Sequence, residues 1–221
     1  MSFSLSELNL WAAMKYKLLL WDFDGTLANT LSIALEIYNR LAEEKKFRRI
    51  TDPESVREMS MREFLKAHNV PAYRVPLAFN TFLRELRRLA PEVLLNEGVD
   101  AVLPQVSELG VGQGVVSSNR TETIKACLES NKAELHFDFI SGTSTIFGKE
   151  RRLKKAARQF GCSVNEVLYV GDEIRDIEAS RAAGMDIASV GWGLNSVDAL
   201  AGYNPTHLIA HPDELLQILQ A

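Results

Sequence analysis

Residues 16–27 read YKLLLWDFDGTL, an apolar run that stops abruptly at two aspartates and a glycine. Its first half, Tyr16 to Trp21, is nearly continuous in apolar side chains, which is typical of a strand covered on both faces. Ligands of open α/β sheets bind beyond the carboxyl ends of the strands. Asp22 and Asp24 therefore follow the strand where such a fold does its chemistry, and period-two alternation predicts that both side chains point to the same side.

The signature of a buried strand returns four more times along the chain. These repeats are Gly114 to Val116, Phe137 to Ile140, Val167 to Val170 and Ile187 to Val190. Helical spacing of apolar residues covers the segments Val99 to Leu109, Thr121 to Ser130, Lys149 to Phe160 and Ile174 to Ala183. Strands that alternate with helices of this length predict an α/β fold, built as a Rossmann-like doubly wound parallel sheet.

One long segment, residues 31–95, breaks this alternation. It contains no convincing strand, and its apolar residues have helical spacing from Ile33 to Leu41. We therefore predict a core domain made of residues 1–30 and 96–221, with a small all-helical domain of residues 31–95 inserted after the first strand.

Composition narrows the class of protein. The chain has 221 residues, 46% apolar and 24% charged, which excludes collagen-like, disordered and disulfide-scaffold proteins. With 25 Lys and Arg against 29 Asp and Glu, the net charge of −4 provides no field that attracts nucleic acid or an anionic membrane. We expect neither of those partners.

Cysteine usage and hydropathy indicate the compartment. Cys127 and Cys162 have neither CxxC nor Cys/His spacing, so the sequence indicates no disulfide framework and no zinc site. The apolar stretch at residues 8–14 is short and is followed by Lys15 and Lys17, which does not fit a secretory signal. No window has the apolar length needed to cross a bilayer, so we expect a soluble, cytoplasmic protein.

A second cluster of carboxylates occurs in residues 170–176, VGDEIRD. Asp172 and Asp176 lie four apart at a predicted helix start, so they can converge on one point, and such oxygen clusters favour hard cations such as Mg²⁺. Alone, they are equally consistent with helix capping. Together with Asp22 and Asp24, which repel each other unless a cation or a proton intervenes, they favour a metal site.

Four motifs carry a resemblance to a known family. They are WDFDGTL (21–27), VVSSNR (115–120), GKE (148–150) and VGDEIRDIEASRAAGM (170–185). In order and spacing they resemble the haloacid dehalogenase superfamily of phosphatases, in particular its phosphoglycolate-phosphatase-like branch. The resemblance spans nearly the whole chain beyond Lys15. It implies that residues 31–95 form a cap that closes over the site, excludes water and sets specificity.

The resemblance also implies four catalytic residues. Asp22 matches the nucleophile, which forms an aspartyl-phosphate, and Asp24 matches the general acid and base. Ser117 matches a hydroxyl that grips a phosphoryl oxygen. Lys149 matches a lysine that offsets negative charge, although Glu150 occupies the position where the family usually has proline.

Phosphate binding is predicted for Gly25, Thr26, Ser118 and Asn119. Gly25 lacks a side chain, so the backbone amides that follow can approach an anion. Ser118 and Asn119 would add donors beside Ser117. These residues also suit an N-cap cluster for the helix that begins at Thr121, and the two roles are compatible because helix N-termini bind anions.

The resemblance implies Mg²⁺ as cofactor. Its ligands would be the Asp22 carboxylate, the Asp24 backbone carbonyl and Asp172. Asp176 would be either a further ligand or a residue that contacts a ligand without binding the metal. In the cap, Arg57 and Arg62 are candidates for binding a second anionic group of the substrate, although arginines in such positions are more often ordinary surface residues.

The sequence thus predicts a Mg²⁺-dependent phosphatase that hydrolyses a small phosphorylated metabolite through an aspartyl-phosphate. Phosphoglycolate, sugar phosphates and nucleoside monophosphates all fit as substrates. Two alternatives are a sugar phosphomutase of the same fold and a non-catalytic phosphate-binding regulatory module. The intact Asp24 argues against the regulatory module.

Overall fold

A six-stranded parallel sheet forms the centre of the molecule. The computed structural model describes residues 14–221, so most of the apolar stretch at residues 8–14 and the first thirteen residues of the predicted core lie outside it. The strands are β1 (Leu18–Trp21), β2 (Gly112–Val116), β3 (Phe139–Ser141), β4 (Val167–Gly171), β5 (Asp186–Val190) and β6 (His207–Ile209). Their order is β3-β2-β1-β4-β5-β6, and every pairing is parallel. The predicted α/β class and doubly wound sheet are confirmed.

Strand β1 lies inside the sheet, between β2 and β4. Leu19 and Trp21 belong to the apolar cluster on one face, whereas Leu18 and Leu20 belong to the cluster on the other face. All four side chains are fully buried. This explains the unbroken apolar run, because a strand covered on both faces has no polar side to present.

The sheet differs from the prediction at several strands. β1 begins at Leu18, two residues later than the predicted run. β2 begins two residues earlier than predicted, because Gly112 and Gln113 pair with β1 although neither has an apolar side chain. β3 is shifted towards its carboxyl end, to Phe139–Ser141. β6 was not predicted, since its three residues are too short and too polar at His207 to give a strand signal.

The segment between β1 and the next core helix is helical. It contains α1 (Leu31–Lys45), α2 (Pro53–Arg57), α3 (Met61–Ala67) and α4 (Val75–Leu89), with short 3₁₀ turns at Ala72–Arg74 and Ala90–Glu92. Local sequence fixes where these helices start. At α3, for example, the Ser60 hydroxyl caps the Glu63 amide while the Glu63 carboxylate accepts from the Ser60 amide at 2.8 Å. The boundaries of a separate cap domain at residues 31–95 stay a prediction.

The two ends of this helical segment meet. Ala28 pairs with Leu95 in an antiparallel bridge, and the Asn29 amide donates to the Leu94 carbonyl at 2.9 Å. The chain therefore leaves the core and re-enters it at neighbouring points.

Six further helices complete the fold. They are α5 (Val99–Glu108), α6 (Thr121–Ser130), α7 (Lys149–Phe160), α8 (Ile174–Ala183), α9 (Val197–Ala201) and α10 (Glu214–Gln220). The first four match the predicted helices closely. Gly184 ends α8 in the left-handed conformation, at φ 75°, which glycine adopts without strain. Within residues 14–221, no helix has the length and apolar character that a membrane crossing requires.

Candidate active site

The predicted site residues gather at the carboxyl edge of the sheet. Asp22 follows β1, Ser117 follows β2, Asp172 follows β4, and Lys149 is the first residue of α7. Because β1 lies between β2 and β4, the loops that leave these three strands meet at one edge. Sequence positions up to 150 residues apart thus form one buried polar cluster.

Lys149 joins two carboxylates at the centre of this cluster. Its Nζ lies 2.5 Å from Asp22 Oδ2 and 2.6 Å from Asp176 Oδ1, and all three side chains are at most 5% exposed. Burial opposes ionisation of Asp22, but the charges of Lys149 and Arg175 outweigh it, so the pKa of Asp22 falls below its ordinary value. Burial works against the charged ammonium too, yet Asp176 and Asp22 raise the pKa of Lys149. The nucleophile candidate is therefore an ionised carboxylate at neutral pH.

Asp172 is enclosed by the loop after β1 and the loop after β5. It accepts from the Thr26 hydroxyl at 2.6 Å and from the Leu194 amide at 2.7 Å. A Cβ on Gly25 would lie 2.3 Å from Asp172 Oδ2, and one on Gly193 would lie 2.2 Å from Asp172 Cβ. Gly25 also has φ 78°, so both its conformation and its space require glycine.

Three of the carboxylates could hold a metal ion. One oxygen from each of Asp22, Asp172 and Asp176 lies within 4.8 Å of the other two, and all three residues are buried. Burial, then the charges of Glu173, Asp176 and Asp22, raise the pKa of Asp172 well above its ordinary value. Crowded, desolvated carboxylate oxygens of this kind fit a hard divalent cation, which relieves their repulsion.

Asp24 has a different environment. It is partly exposed, and the side-chain nitrogen of Asn119 donates to both of its carboxylate oxygens, at 3.2 and 3.1 Å. Burial and the Asp22 charge raise the pKa of Asp24 to about 7, although the bonds from Asn119 oppose this shift. Asp24 can therefore hold or release a proton near neutral pH.

Two hydroxyl groups follow β2. Ser117 Oγ accepts a hydrogen bond from the backbone amide of Asn119 at 3.2 Å. Ser118 Oγ is buried and has no hydrogen-bond partner in the structure. Since buried hydroxyls are nearly always hydrogen-bonded in native proteins, Ser118 is well suited to meet a ligand here.

The other predicted phosphate-binding groups already have partners within the chain. The Gly25 amide donates to the Ala28 carbonyl at 2.9 Å, and the Thr26 hydroxyl donates to Asp172. The Asn119 side chain is occupied by Asp24 on its nitrogen and by the Arg120 amide on its oxygen. Their role in phosphate binding stays a prediction.

Sequence reasoning missed two residues that support the cluster. Tyr169 donates from its hydroxyl to Asp176 Oδ1 at 3.3 Å, and its ring lies 5.5 Å from Lys149 Nζ. Arg152 donates from Nη1 to the Ser117 carbonyl at 2.5 Å. Arg152 could have been found, because it lies three residues after Lys149 and so shares a face of α7 with it.

Two side chains from distant parts of the sequence form hydrogen bonds to the loop after β1. Asn96 Nδ2 donates to the carbonyls of Gly25 and Thr26, each at 2.9 Å. Trp192 Nε1 donates to the Thr26 carbonyl at 3.0 Å. The two side chains hold the loop that follows Asp22 and Asp24.

The helical segment is bonded to the core beside the site. Arg57 Nη2 donates to the Gly191 carbonyl at 3.1 Å. Asn195 Nδ2 donates to the carbonyls of Arg57 and Met59, at 2.9 and 3.0 Å. Arg57 is therefore engaged with core backbone, whereas Arg62 is exposed on α3.

Comparison with curated proteins shows relatives that match along nearly all of the chain. The chain is 29% identical over 201 residues to a phosphoglycolate phosphatase of Synechococcus elongatus, covering 90% of this chain and 95% of that one. It is 25% identical to the pyrophosphatase PpaX of Listeria welshimeri, covering 93% of this chain and 97% of that one.

Solved structures share the fold. A structure described as a predicted phosphatase from Clostridium acetobutylicum has a TM-score of 0.79 at 20% identity and covers 93% of this chain and 99% of its own. A haloacid dehalogenase-like family protein from Streptococcus pneumoniae has a TM-score of 0.76 at 18% identity, with 92% and 98% covered. The family model of the haloacid dehalogenase-like hydrolases matches residues 19–190, which contain all of the polar cluster. The chain therefore belongs to the haloacid dehalogenase-like hydrolases.

Proposed function

We propose that the protein is a Mg²⁺-dependent phosphatase that hydrolyses a small phosphorylated metabolite. One observation carries the proposal: Asp22 contacts Lys149 within a buried cluster of three carboxylates, whereas Asp24, two residues on, is held by Asn119 outside that cluster. The pKa of Asp22 is accordingly lowered and that of Asp24 is raised to about 7. Neighbouring carboxyls whose pKa values are driven apart suit a nucleophile paired with a general acid. The phosphatase relatives described above support the same reaction class.

In the first half-reaction, an Asp22 carboxylate oxygen attacks phosphorus and forms a P–O bond. The bond between phosphorus and the ester oxygen breaks, and the Asp24 carboxyl gives its proton to the departing alkoxide. The products are an alcohol and an aspartyl-phosphate on Asp22. The hydrogen bonds from Asn119 orient Asp24 for this transfer.

In the second half-reaction, water attacks the phosphorus of the aspartyl-phosphate and gives a proton to the Asp24 carboxylate. The bond between Asp22 and phosphorus breaks, which releases inorganic phosphate and restores the Asp22 carboxylate. Lys149 stays bonded to Asp22 and Asp176 and balances their charge. Ser117 and Ser118 supply hydroxyl donors to the phosphoryl oxygens.

Asp22 and Asp172 would hold the cation, with the Asp24 carbonyl as a further ligand and Asp176 beside them. Bound Mg²⁺ would neutralise charge on the transferring phosphoryl group and help to position it. The oxygen-only donor set supports Mg²⁺ over softer metals. We also propose a cytoplasmic setting, which the free thiols of Cys127 and Cys162 support.

The test is phosphate release from a panel of metabolite phosphoesters, with Mg²⁺ and with a chelator, using wild type and Asp22→Asn. We expect turnover that needs Mg²⁺ and Asp22, with a phosphorylated chain detectable by mass spectrometry after acid quench. Full activity of Asp22→Asn would refute the assigned nucleophile. Efficient isomerisation of a sugar phosphate would instead identify a mutase, and binding without any turnover would identify a regulatory module.

A further inference from the structure

A cavity of about 150 Å³ lies between the helical segment and the core. Its lining is mostly apolar and includes Leu35, Tyr38, Ile50, Met59 and Phe64 from the helical segment and Leu194 from the loop after β5. Asn195, which also lines the cavity, joins the core to the helical segment there through its hydrogen bonds to the Arg57 and Met59 carbonyls.

This cavity adjoins the reaction centre. The Leu194 amide donates to Asp172 Oδ2 at 2.7 Å, and Glu173, which also lines the cavity, directly follows Asp172. Arg175 lines the cavity as well and is bonded to Glu173, so this charged pair lies directly beside the metal-ligand candidate Asp172.

The polar groups that line the cavity are already engaged. Arg175 binds Glu173 through two hydrogen bonds of 2.6 Å each, so the two charges balance. Tyr38 donates to the Arg48 carbonyl at 2.9 Å. Asn195 uses its oxygen for the Ile174 amide in addition to its two bonds to the helical segment.

One donor of the lining remains: within residues 14–221, Nη1 of Arg175 is buried and has no hydrogen-bond partner. Its guanidinium charge is already balanced by Glu173, so this donor suits a neutral acceptor such as an ester oxygen better than a carboxylate. Arg57 of α2 does not line the cavity; its Nη2 donates to the Gly191 carbonyl, its Nη1 lies near Glu54, and its Nε is buried without a partner. A second anionic group in the cavity would therefore lose its water beside an arginine that is already paired with Glu173, which is costly.

We infer that this cavity receives the leaving group of the substrate and that this group is apolar, with the bulk of one aromatic ring or a chain of about six carbons. The inference rests on the proposed phosphatase function. The size follows from the volume, because an apolar cavity of about 150 Å³ accommodates benzene. Apolar surface of the leaving group would be stabilised by the lining, whereas the hydroxyls of a sugar would meet no free partners.

The first test is a chain-length series of ethyl, butyl and hexyl phosphate, compared with phosphoglycolate and glucose 6-phosphate, all with Mg²⁺. Burying one methylene contributes about 0.8 kcal/mol, so kcat/KM should rise roughly fourfold per methylene up to hexyl phosphate. Phosphoglycolate and glucose 6-phosphate should be poorer substrates than hexyl phosphate. A flat series, or a preference for either polar substrate, would overturn the inference.

Substitutions of residues that line the cavity test whether the dependence on chain length arises there. Leu35→Trp fills the cavity and should bring the ratio of hexyl to ethyl phosphate turnover close to one. Met59→Lys adds a cation to the lining and should shift preference towards phosphoglycolate. The matched control is Thr81→Leu, which adds bulk to a cavity that shares no lining residue with this one and should leave the series unchanged.

A binding experiment separates this inference from the phosphatase proposal. Alkyl phosphonates cannot be hydrolysed, so calorimetric titration of the Mg²⁺-loaded protein with methyl- and hexylphosphonate measures binding alone. Tighter binding of hexylphosphonate that Leu35→Trp abolishes supports the cavity even if no ester is turned over. Equal binding of the two phosphonates would overturn the inference, even if phosphoesters are hydrolysed.

Discussion

Asn119 holds Asp24 through hydrogen bonds from one side-chain nitrogen to both carboxylate oxygens, at 3.2 and 3.1 Å. The side-chain oxygen of Asn119 also accepts a hydrogen bond from the Arg120 backbone amide. The side chain therefore cannot rotate without losing the hydrogen bonds of both its nitrogen and its oxygen. The direction of the Asp24 carboxyl is thus set by a residue that follows the neighbouring strand.

We predict that Asn119→Ala lowers kcat roughly tenfold to a hundredfold, the effect expected when a reacting group loses its orientation. KM should change little, because the phosphate-binding hydroxyls remain. Steady-state kinetics on any substrate found for the wild type would check this. Gln105→Ala, which removes one exposed hydrogen bond within α5, is the control, and an equal loss in both variants would contradict a positioning role.

Lys149→Met should destabilise the fold by about 3–5 kcal/mol, the cost of leaving buried charges without their partner. Both of its carboxylate partners are buried, so neither can turn to water. Urea unfolding would measure the loss, and the double variant Lys149→Met/Asp176→Asn should recover part of it. Lys154→Met, at an exposed position of the same helix, is the control. A loss below about 1 kcal/mol, the range of surface pairs, would contradict this account.

Mg²⁺ should stabilise the wild type against heat, by about 2.7 kcal/mol at a concentration a hundredfold above its Kd. Asp172→Asn should abolish this shift while raising the stability of the metal-free protein, because it removes one of three crowded carboxylates. Thermal melts with Mg²⁺ and with a chelator test both effects. Glu178→Gln changes an exposed charge on α8 and should keep the wild-type response. An unaltered Mg²⁺ shift in Asp172→Asn would place the cation elsewhere.

Acidification should destabilise the protein through His207, at the amino end of β6. Burial lowers its pKa from the ordinary 6.5, against the attraction of Asp186. The folded state therefore binds this proton less readily than the unfolded chain, so the contribution is present above about pH 6.5 and is lost as the pH falls through the lowered pKa. His207→Gln should flatten the dependence of the urea midpoint on pH between about 7 and 5.

The group that faces His207 is the Tyr16 hydroxyl, 3.1 Å from Nε2, and Tyr16 in turn donates to Asp186 at 2.8 Å. Lys15 also pairs with Asp186, at 2.7 Å. His211→Gln, at an exposed position, is the control and should keep the wild-type slope. If both variants give the same profile, His207 is not the group responsible.

Asn195→Ala should loosen the helical segment from the core. Its side chain bridges two carbonyls of that segment to the core loop, so we expect a higher KM and faster amide exchange in residues 55–61. Hydrogen exchange with mass spectrometry would measure the second effect directly. Asn80→Ala, exposed on α4, is the control, and unchanged exchange in Asn195→Ala would show that other contacts hold the segment closed.

The order of strands and helices could be predicted from the sequence because the central strands are buried on both faces. Leu18 to Trp21 shows this most clearly, since no polar residue interrupts it. The prediction was less successful at Gly112 and Gln113, where pairing depends on backbone hydrogen bonds and leaves no apolar signal. β6 was missed because an edge strand of three residues buries too few apolar side chains to give a strand pattern in the sequence.

The motifs placed Asp22, Lys149 and Asp172 in the same cluster, but they could not give the partners of each side chain. The predicted phosphate-binding role of Asn119 stays a prediction, and the sequence did not reveal that its side-chain nitrogen donates to Asp24. Arg57 is predicted to face a substrate or solvent, yet it reaches the Gly191 carbonyl. Such pairings depend on side-chain direction and on residues more than 90 positions away, which spacing along the chain does not reveal.

The bridge between Ala28 and Leu95 has a consequence for how this protein family can diversify. The points at which the helical segment leaves and re-enters the core are already held side by side. They can be joined by a short turn or by a long segment, since the entropic cost of closing a loop grows only slowly with its length. We therefore expect that a different helical excursion could be grafted at Ala28 and Leu95 while the sheet and its carboxylates fold as before. New chemistry at the leaving group would then require no redesign of the machinery that handles phosphorus.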